Sequence, residues 1–111
     1  MIEIVRWEPL TKNDIRVLES RLKSYHQLAK VYKNRPKEWS DLYYQNVGTI
    51  VNGIMEAYNE CTAFEQNIIK LSYWDIQDDK IIAEVLGVKV SHIKARRMKI
   101  LKLVANAILL I

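Results

Sequence analysis

The sequence predicts an all-α fold, in which a long antiparallel helix pair precedes a three-helix unit that contains a helix-turn-helix. Apolar residues recur every three or four positions through most of the chain, which is the period of an amphipathic helix. The chain holds three glycines and two prolines, so helix breakers are few. Two threonines, Thr11 and Thr62, are each followed three positions later by an acid, as in a capping box. Nothing in the sequence reads as a strand of a larger sheet.

The first helix is predicted over residues 12–33. Thr11 and Asp14 form its capping box, and Leu10 and Ile15 flank that box as a hydrophobic staple would. The polar loop at 33–38 contains Pro36 and ends the helix, while residues 1–10 are left unassigned. The apolar stripe of this helix consists of Ile15, Leu18, Leu22, Tyr25, Leu28 or Ala29, and Tyr32.

The second helix is predicted over residues 39–59. Gly48 and Gly53 lie inside it, and each costs up to about 1 kcal/mol relative to Ala, so they indicate close helix packing. We expect this helix to form an antiparallel hairpin with the first one. Its apolar stripe consists of Trp39, Leu42 or Tyr43, Val47, Ile50 or Val51, Ile54 and Tyr58.

Three shorter segments complete the fold, with helices predicted over 62–73, 78–86 and 90–109. Gly87 stands where a left-handed helix cap is needed, directly after the middle helix. A short helix, a glycine turn and a longer helix this close in sequence describe a helix-turn-helix, whose second helix enters the DNA major groove. We expect the middle helix to bury Ile82, Val85 and Leu86.

Length and composition indicate one domain, with residues 1–60 as the helical hairpin and residues 61–111 as the helix-turn-helix unit. The single cysteine, Cys61, allows no internal disulfide, which fits a reducing cytoplasm. No apolar run reaches the roughly 18 residues of a membrane span, and the N-terminus does not resemble a signal peptide. We therefore expect a cytoplasmic protein without a membrane segment.

Basic charge is concentrated in residues 87–102, GVKVSHIKARRMKILK, which carry six Lys or Arg and no acid. At about 100° per residue, Ile93, Ile100, Val104 and Ile108 share the core side of the last helix. The opposite side holds Ser91, Lys94, Ala95, Met98, Lys99 and Lys102. Either this is a solvated helix face, or it is a surface that meets a polyanion such as duplex DNA.

If the face reads DNA, its residues divide into two roles. Lysines neutralise phosphates, which positions the protein, while Ser91, His92, Ala95 and Arg96 lie where base edges are read. The predicted DNA-binding residues are Lys80, Lys89, Ser91, His92, Lys94, Ala95, Arg96, Lys99 and Lys102. No set of residues has the roles of an active site, so no enzyme and no cofactor are predicted.

Residues 62–103 resemble the fourth conserved region of bacterial sigma factors. TAFEQNIIKLSYWD is similar to its opening helix, IIAEVLGV to its helix and turn, and HIKARRMKILKLV to its basic recognition helix. Small phage and prophage regulators of the RinA and ArpU types carry such a module behind a helical N-terminal segment. The resemblance implies a transcriptional regulator that binds double-stranded DNA and contacts RNA polymerase. Two positions depart from it, because Lys89 replaces a capping Ser or Thr and Arg96 replaces an aliphatic residue. The guanidinium of Arg96 must therefore reach solvent, DNA or an acid such as Glu84.

Other interpretations remain open at this point. A small terminase-like component of phage DNA packaging also uses a helix-turn-helix, and an adaptor on RNA polymerase could use the basic helix without touching DNA. Asp75, Asp78 and Asp79 could hold Mg²⁺, although acids are common at helix starts. The apolar tail at 105–111 packs back on the hairpin, forms the seam of a homodimer or forms a strip that binds a partner.

Overall fold

A computed structural model describes residues 10–108, and every regular element within that range is a helix. The all-α prediction is therefore confirmed for these residues. Residues 1–9, and the end of the last predicted helix at 109, lie outside the described residues. The helices are α1 Lys12–Lys23, α2 Tyr25–Lys33, α3 Asp41–Glu60, α4 Ala63–Ile69, a π-helix Lys70–Trp74, α5 Asp79–Leu86 and α6 Val90–Ala107.

The predicted helix 12–33 is interrupted at Ser24, so the expectation of one continuous helix was wrong. Its capping box is present, because Thr11 Oγ1 accepts from the Asp14 amide at 3.0 Å. The Trp74 indole donates to the Leu22 carbonyl at 3.1 Å, just before the interruption. A side chain that bonds into the helical ladder is one recognised cause of a bend. Beyond it, α2 packs against α3, whereas α1 packs mainly against α6 and the π-helix.

Both glycines of α3 mark close helix contacts, as predicted. A Cβ added at Gly48 would lie 2.8 Å from the Tyr32 ring of α2. A Cβ added at Gly53 would lie 2.7 Å from the Ala107 carbonyl oxygen of α6. The two glycines thus allow α3 to lie directly against α2 on one turn and against the end of α6 on another.

The N-terminal part of the predicted α3 stripe was wrong. Leu42 and Tyr43 are 68% and 52% exposed. Tyr44 faces inward in their place and stacks on Tyr32, with 4.7 Å between ring centroids. Because apolar and aromatic residues follow one another at positions 42–44, the helical period allows more than one of them to face the core. The sequence pattern alone therefore assigned the wrong residues to the core.

The third predicted helix begins as expected and ends differently. Thr62 and Glu65 form the second capping box, which confirms that motif. From Lys70 to Trp74 the helix widens into a π-helix, and the Asp75 amide donates to the Lys70 carbonyl at 2.8 Å. This wider turn buries Ser72 and Tyr73.

One hydrophobic core joins these elements. Cys61 is buried beside it, and burial raises the pKa of its thiol to about 11. In α5, Ala83 is buried rather than Val85, which is 63% exposed, so that core assignment was wrong. The largest fully buried side chains are Leu18, Leu22, Ile54, Ile68, Ile69, Ile82, Ile93, Ile100, Leu101 and Val104.

Candidate nucleic-acid interface

The connection between α5 and α6 is a tight turn built on Gly87. This glycine has φ 68° and ψ 36°, the left-handed conformation predicted for it. The Val88 amide donates to the Ala83 carbonyl at 3.0 Å, which closes the end of α5. Lys89 precedes α6 in the cap position and makes no side-chain capping bond. The start of α6 thus lacks the capping bond that a Ser or Thr side chain could make.

The outward side of α6 matches the predicted arc. Ile93, Ile100 and Val104 are at most 1% exposed and lie in the core, while Ile108 is half-buried. Lys94, Lys99 and Lys102 are exposed on this side, and residues 90–107 hold no acid, so this surface is positive. The exposed positions of this helix include Ser91, His92, Lys94, Ala95, Met98, Lys99 and Lys102.

Three predicted residues lie at the margins of this surface. Lys80, on the first turn of α5, and Lys89, in the turn, are both exposed. His92 is exposed as well, and its ring lies against Phe64 of α4, with 5.4 Å between centroids. The two lysines keep the reach that phosphate contacts need, whereas His92 is partly held by α4.

Arg96 has a carboxylate partner inside the protein. Its Nη1 lies 3.6 Å from Oε2 of Glu65, and the Arg96 side chain is 34% exposed. The sequence offers Glu84 as an acid within reach of Arg96, but the acid beside Arg96 is Glu65. Oε1 of Glu65 also accepts from the Thr62 amide at 2.9 Å, so one buried carboxylate caps α4 and holds Arg96.

Arg97 differs from its neighbour because it is mostly buried, with 16% of its side chain exposed. Nη1 donates to Asp79 Oδ2 at 3.0 Å, Nη2 donates to Asp79 Oδ1, and Nη2 also donates to Ser72 Oγ at 3.0 Å. A bidentate interaction of this kind fixes both the position and the orientation of the guanidinium group. Arg97 therefore ties α6 to the start of α5 and to the π-helix.

The ionisation of this pair follows from its geometry. The hydrogen bond from Arg97 lowers the pKa of Asp79, against the opposing effect of burial. The bond to Asp79 in turn raises the pKa of Arg97. Tyr73 extends the polar chain, because its hydroxyl donates to Glu19 Oε2 of α1 at 2.8 Å. Arg97 follows Ile93 by four positions and precedes Ile100 by three, so the helical period puts it beside the apolar arc, but the sequence pattern does not identify this network.

Two of the acids at 75–79 have structural partners. Asp78 caps α5 by accepting from the Ile81 amide at 2.9 Å, and Asp79 holds Arg97. Within residues 10–108, no three His, Cys, Asp or Glu side chains are grouped to hold a metal ion. The helices of that same range include none that is long and apolar enough to cross a membrane.

Comparison with protein-family models, with curated proteins and with solved structures yields no match to this chain. The functional interpretation therefore depends on the site itself.

Proposed function

We propose that this protein binds duplex DNA through the outward side of α6 and regulates transcription in the cytoplasm of a bacterial cell, as a phage or prophage regulator. The observation that carries the proposal is an exposed, acid-free basic face on the second of two helices joined by a tight glycine turn. Such a pair has the local design of a helix-turn-helix, whose second helix lies in the major groove.

The distribution of side chains along α6 suits a helix that enters a groove. Ser91 and Ala95 are small and exposed near its start, so the backbone can approach the bases, and an Ala methyl can contact a thymine methyl. Lys94, Lys99 and Lys102 project as flexible cations toward phosphates. Arg96, shared with Glu65, reaches base edges only by loosening a 3.6 Å ion pair.

Two alternatives use the same surface differently. A DNA-packaging component of the small terminase type would bind duplex DNA as a ring, so its mass in solution would be that of a large oligomer. An adaptor on RNA polymerase would place the basic face against an acidic protein surface and would not bind DNA. A homodimer is compatible with the regulator, because helix-turn-helix proteins often read two half-sites.

The test is binding of a fluorescent random-sequence duplex, measured by anisotropy at several salt concentrations. We expect a steep loss of affinity with salt, because each neutralised phosphate contributes a slope of about −0.9 in log K against log salt. The variant Lys94→Gln, Lys99→Gln, Lys102→Gln should lose about two units of that slope or more.

The matched control is Lys33→Gln, Lys37→Gln, Lys70→Gln, which removes the same charge from exposed lysines outside α6. It should bind nearly as the wild type does. Equal affinity of both triple variants would contradict the role of α6. Failure of the wild type to bind at low salt would contradict DNA binding altogether and favour a protein partner.

A further inference from the structure

A second basic surface lies in the N-terminal part of the chain, along α1 and α2. These helices carry six Lys or Arg and two acids, and so have a net charge equal to the +4 of the whole chain. Residues 12, 16 and 23 fall within about 40° of one another at 100° per residue. Ser24 keeps right-handed backbone angles, so α2 continues the same side. The members of this surface are Lys12, Arg16, Lys23 and Lys30, all exposed.

The two acids of α1 each have a hydrogen-bond partner other than these cations. Glu19 accepts the hydroxyl of Tyr73 at 2.8 Å, which points its carboxylate toward the polar chain around Arg97. Asp14 accepts from the Thr11 amide at 2.9 Å in the capping box. Among residues 10–108, no acid forms an ion pair with a member of the α1–α2 surface.

The shape and the neutral residues of the surface narrow the choice of partner. A groove of about 440 Å³ runs along α1, lined by Lys12, Arg16, Ser20 and Lys23 with Ile15 and Glu19 among its other walls. Ser20 and Gln27 are exposed polar residues between the cations. Among residues 10–108, no aromatic side chain lines this groove. Single-stranded nucleic acid needs such rings for base stacking, and protein interfaces centre on aromatic or apolar anchors.

The length of the surface fits a phosphate backbone. Residues 12–30 cover at most about 27 Å at 1.5 Å per residue, because α1 and α2 are separated at Ser24. Phosphates of one DNA strand advance about 3.4 Å along the duplex axis while the strand winds around it, so only some of the roughly eight phosphates within that length face the protein. Four cations with hydrogen-bonding side chains between them are suited to that charge density without reading bases.

We propose that the α1–α2 surface is a second phosphate-binding surface, which holds the backbone of duplex DNA while α6 occupies the groove. This proposal rests on the proposed function, because it assigns to the N-terminal helices a share of the same ligand. Its contribution is independent of sequence: it raises affinity for all duplexes equally and adds to the salt dependence.

The experiment compares four full-length proteins on a random-sequence 30-base-pair duplex across a salt series. They are the wild type, the triple α6 variant, the quadruple variant Lys12→Gln, Arg16→Gln, Lys23→Gln, Lys30→Gln, and a quadruple control. The control, Arg21→Gln, Arg35→Gln, Lys37→Gln, Lys70→Gln, removes the same charge from exposed residues outside both surfaces. Thermal unfolding of each variant checks that it is folded.

We expect the quadruple surface variant to lose about two to three units of salt slope and roughly tenfold or more in affinity near physiological salt. The quadruple control should lose less than one unit. If the surface variant and the control bind alike while the α6 variant is weakened, the second surface is refuted and the proposed function stands. If the α6 variant binds normally while the surface variant fails, the assignment of α6 is refuted instead. Absence of binding by the wild type refutes both.

Discussion

Both sides of α6 carry positively charged side chains, which are mostly buried on the inner side and exposed on the outer side. On the inner side, Arg97 is mostly buried and bound at two points to Asp79. On the outer side, Lys94 and Lys102 are exposed and form no ion pair with the described residues. The comparison teaches that a count of basic residues overstates an interface. One of the arginines holds the helix in place, and the lysines remain available to a ligand.

Replacement of the inner arginine should produce the largest effect. Arg97→Met leaves the Asp79 carboxylate and the Ser72 hydroxyl without their partner in a mostly buried position. We expect a loss of about 3 kcal/mol in the free energy of unfolding, at the low end for a broken buried pair because Asp79 keeps some solvent contact. Urea denaturation followed by circular dichroism measures it.

The outer Lys94→Met is the matched control for this change. It removes a cation of the same helix from an exposed position, so its effect should stay within about 0.5 kcal/mol. If both substitutions cost the same, Arg97 has no special structural role and the contrast between the two sides of α6 is wrong.

The C-terminal end of the inner side is held by a different contact. Gly53→Ala would place a Cβ against the Ala107 carbonyl, a backbone atom that moves only with α6 itself. We expect a cost of about 2 kcal/mol in stability, within the usual range for overpacking. Gly48→Ala meets the end of the Tyr32 ring, which can shift, so it should be nearly neutral. Thermal unfolding of the two variants tests the difference, and a similar loss for both would contradict this reasoning.

The ion pair on the inner side also predicts a pH dependence. Arg97 lowers the pKa of Asp79 in the folded state below its usual 3.8. The folded state therefore binds the carboxyl proton of Asp79 less tightly than the unfolded chain does. The resulting stabilisation is fully present above about pH 5 and is lost as pH falls through the folded pKa. Wild type should therefore lose more stability between pH 6 and pH 3 than Asp79→Asn does. Parallel pH profiles in urea titrations would contradict the assignment.

The smallest effect on stability is expected on the outer side. Lys102→Gln removes an exposed cation without a partner among residues 10–108, so the midpoint of thermal unfolding should hardly change. The same substitution should lower the salt slope of DNA binding by about one unit. A change in stability without a change in slope would assign Lys102 to the fold rather than to the interface.

Local signals in the sequence predicted much of this architecture. The capping boxes at Thr11 and Thr62, the left-handed Gly87 and the close packing at Gly48 and Gly53 are each determined by a few neighbouring residues. The outward arc of α6 followed from the helical period alone. These features depend on backbone geometry that the residues specify by themselves.

Features that depend on distant contacts were not predictable in this way. The interruption at Ser24 accompanies a hydrogen bond from the Trp74 indole to the Leu22 carbonyl. These two residues are 52 positions apart in the sequence. The π-helix and the Asp79–Arg97 pair likewise depend on how helices meet. The sequence offers one signal for that pair. A basic residue, Arg97, lies beside the apolar arc of α6, and an acid, Asp79, lies at the start of the preceding helix. The pairing of Arg96 with Glu65 rather than Glu84 depended on the placement of α4.

The burial of Cys61 has a practical consequence for mapping these surfaces. With its pKa near 11, the thiol is almost entirely protonated at neutral pH, and thiolates are the reactive species toward maleimides and iodoacetamides. A cysteine introduced at an exposed site such as Ser91 or Ser20 can thus be labelled selectively with a fluorophore or a DNA-cleaving chelate. Footprinting experiments of this kind therefore do not require Cys61 to be replaced first.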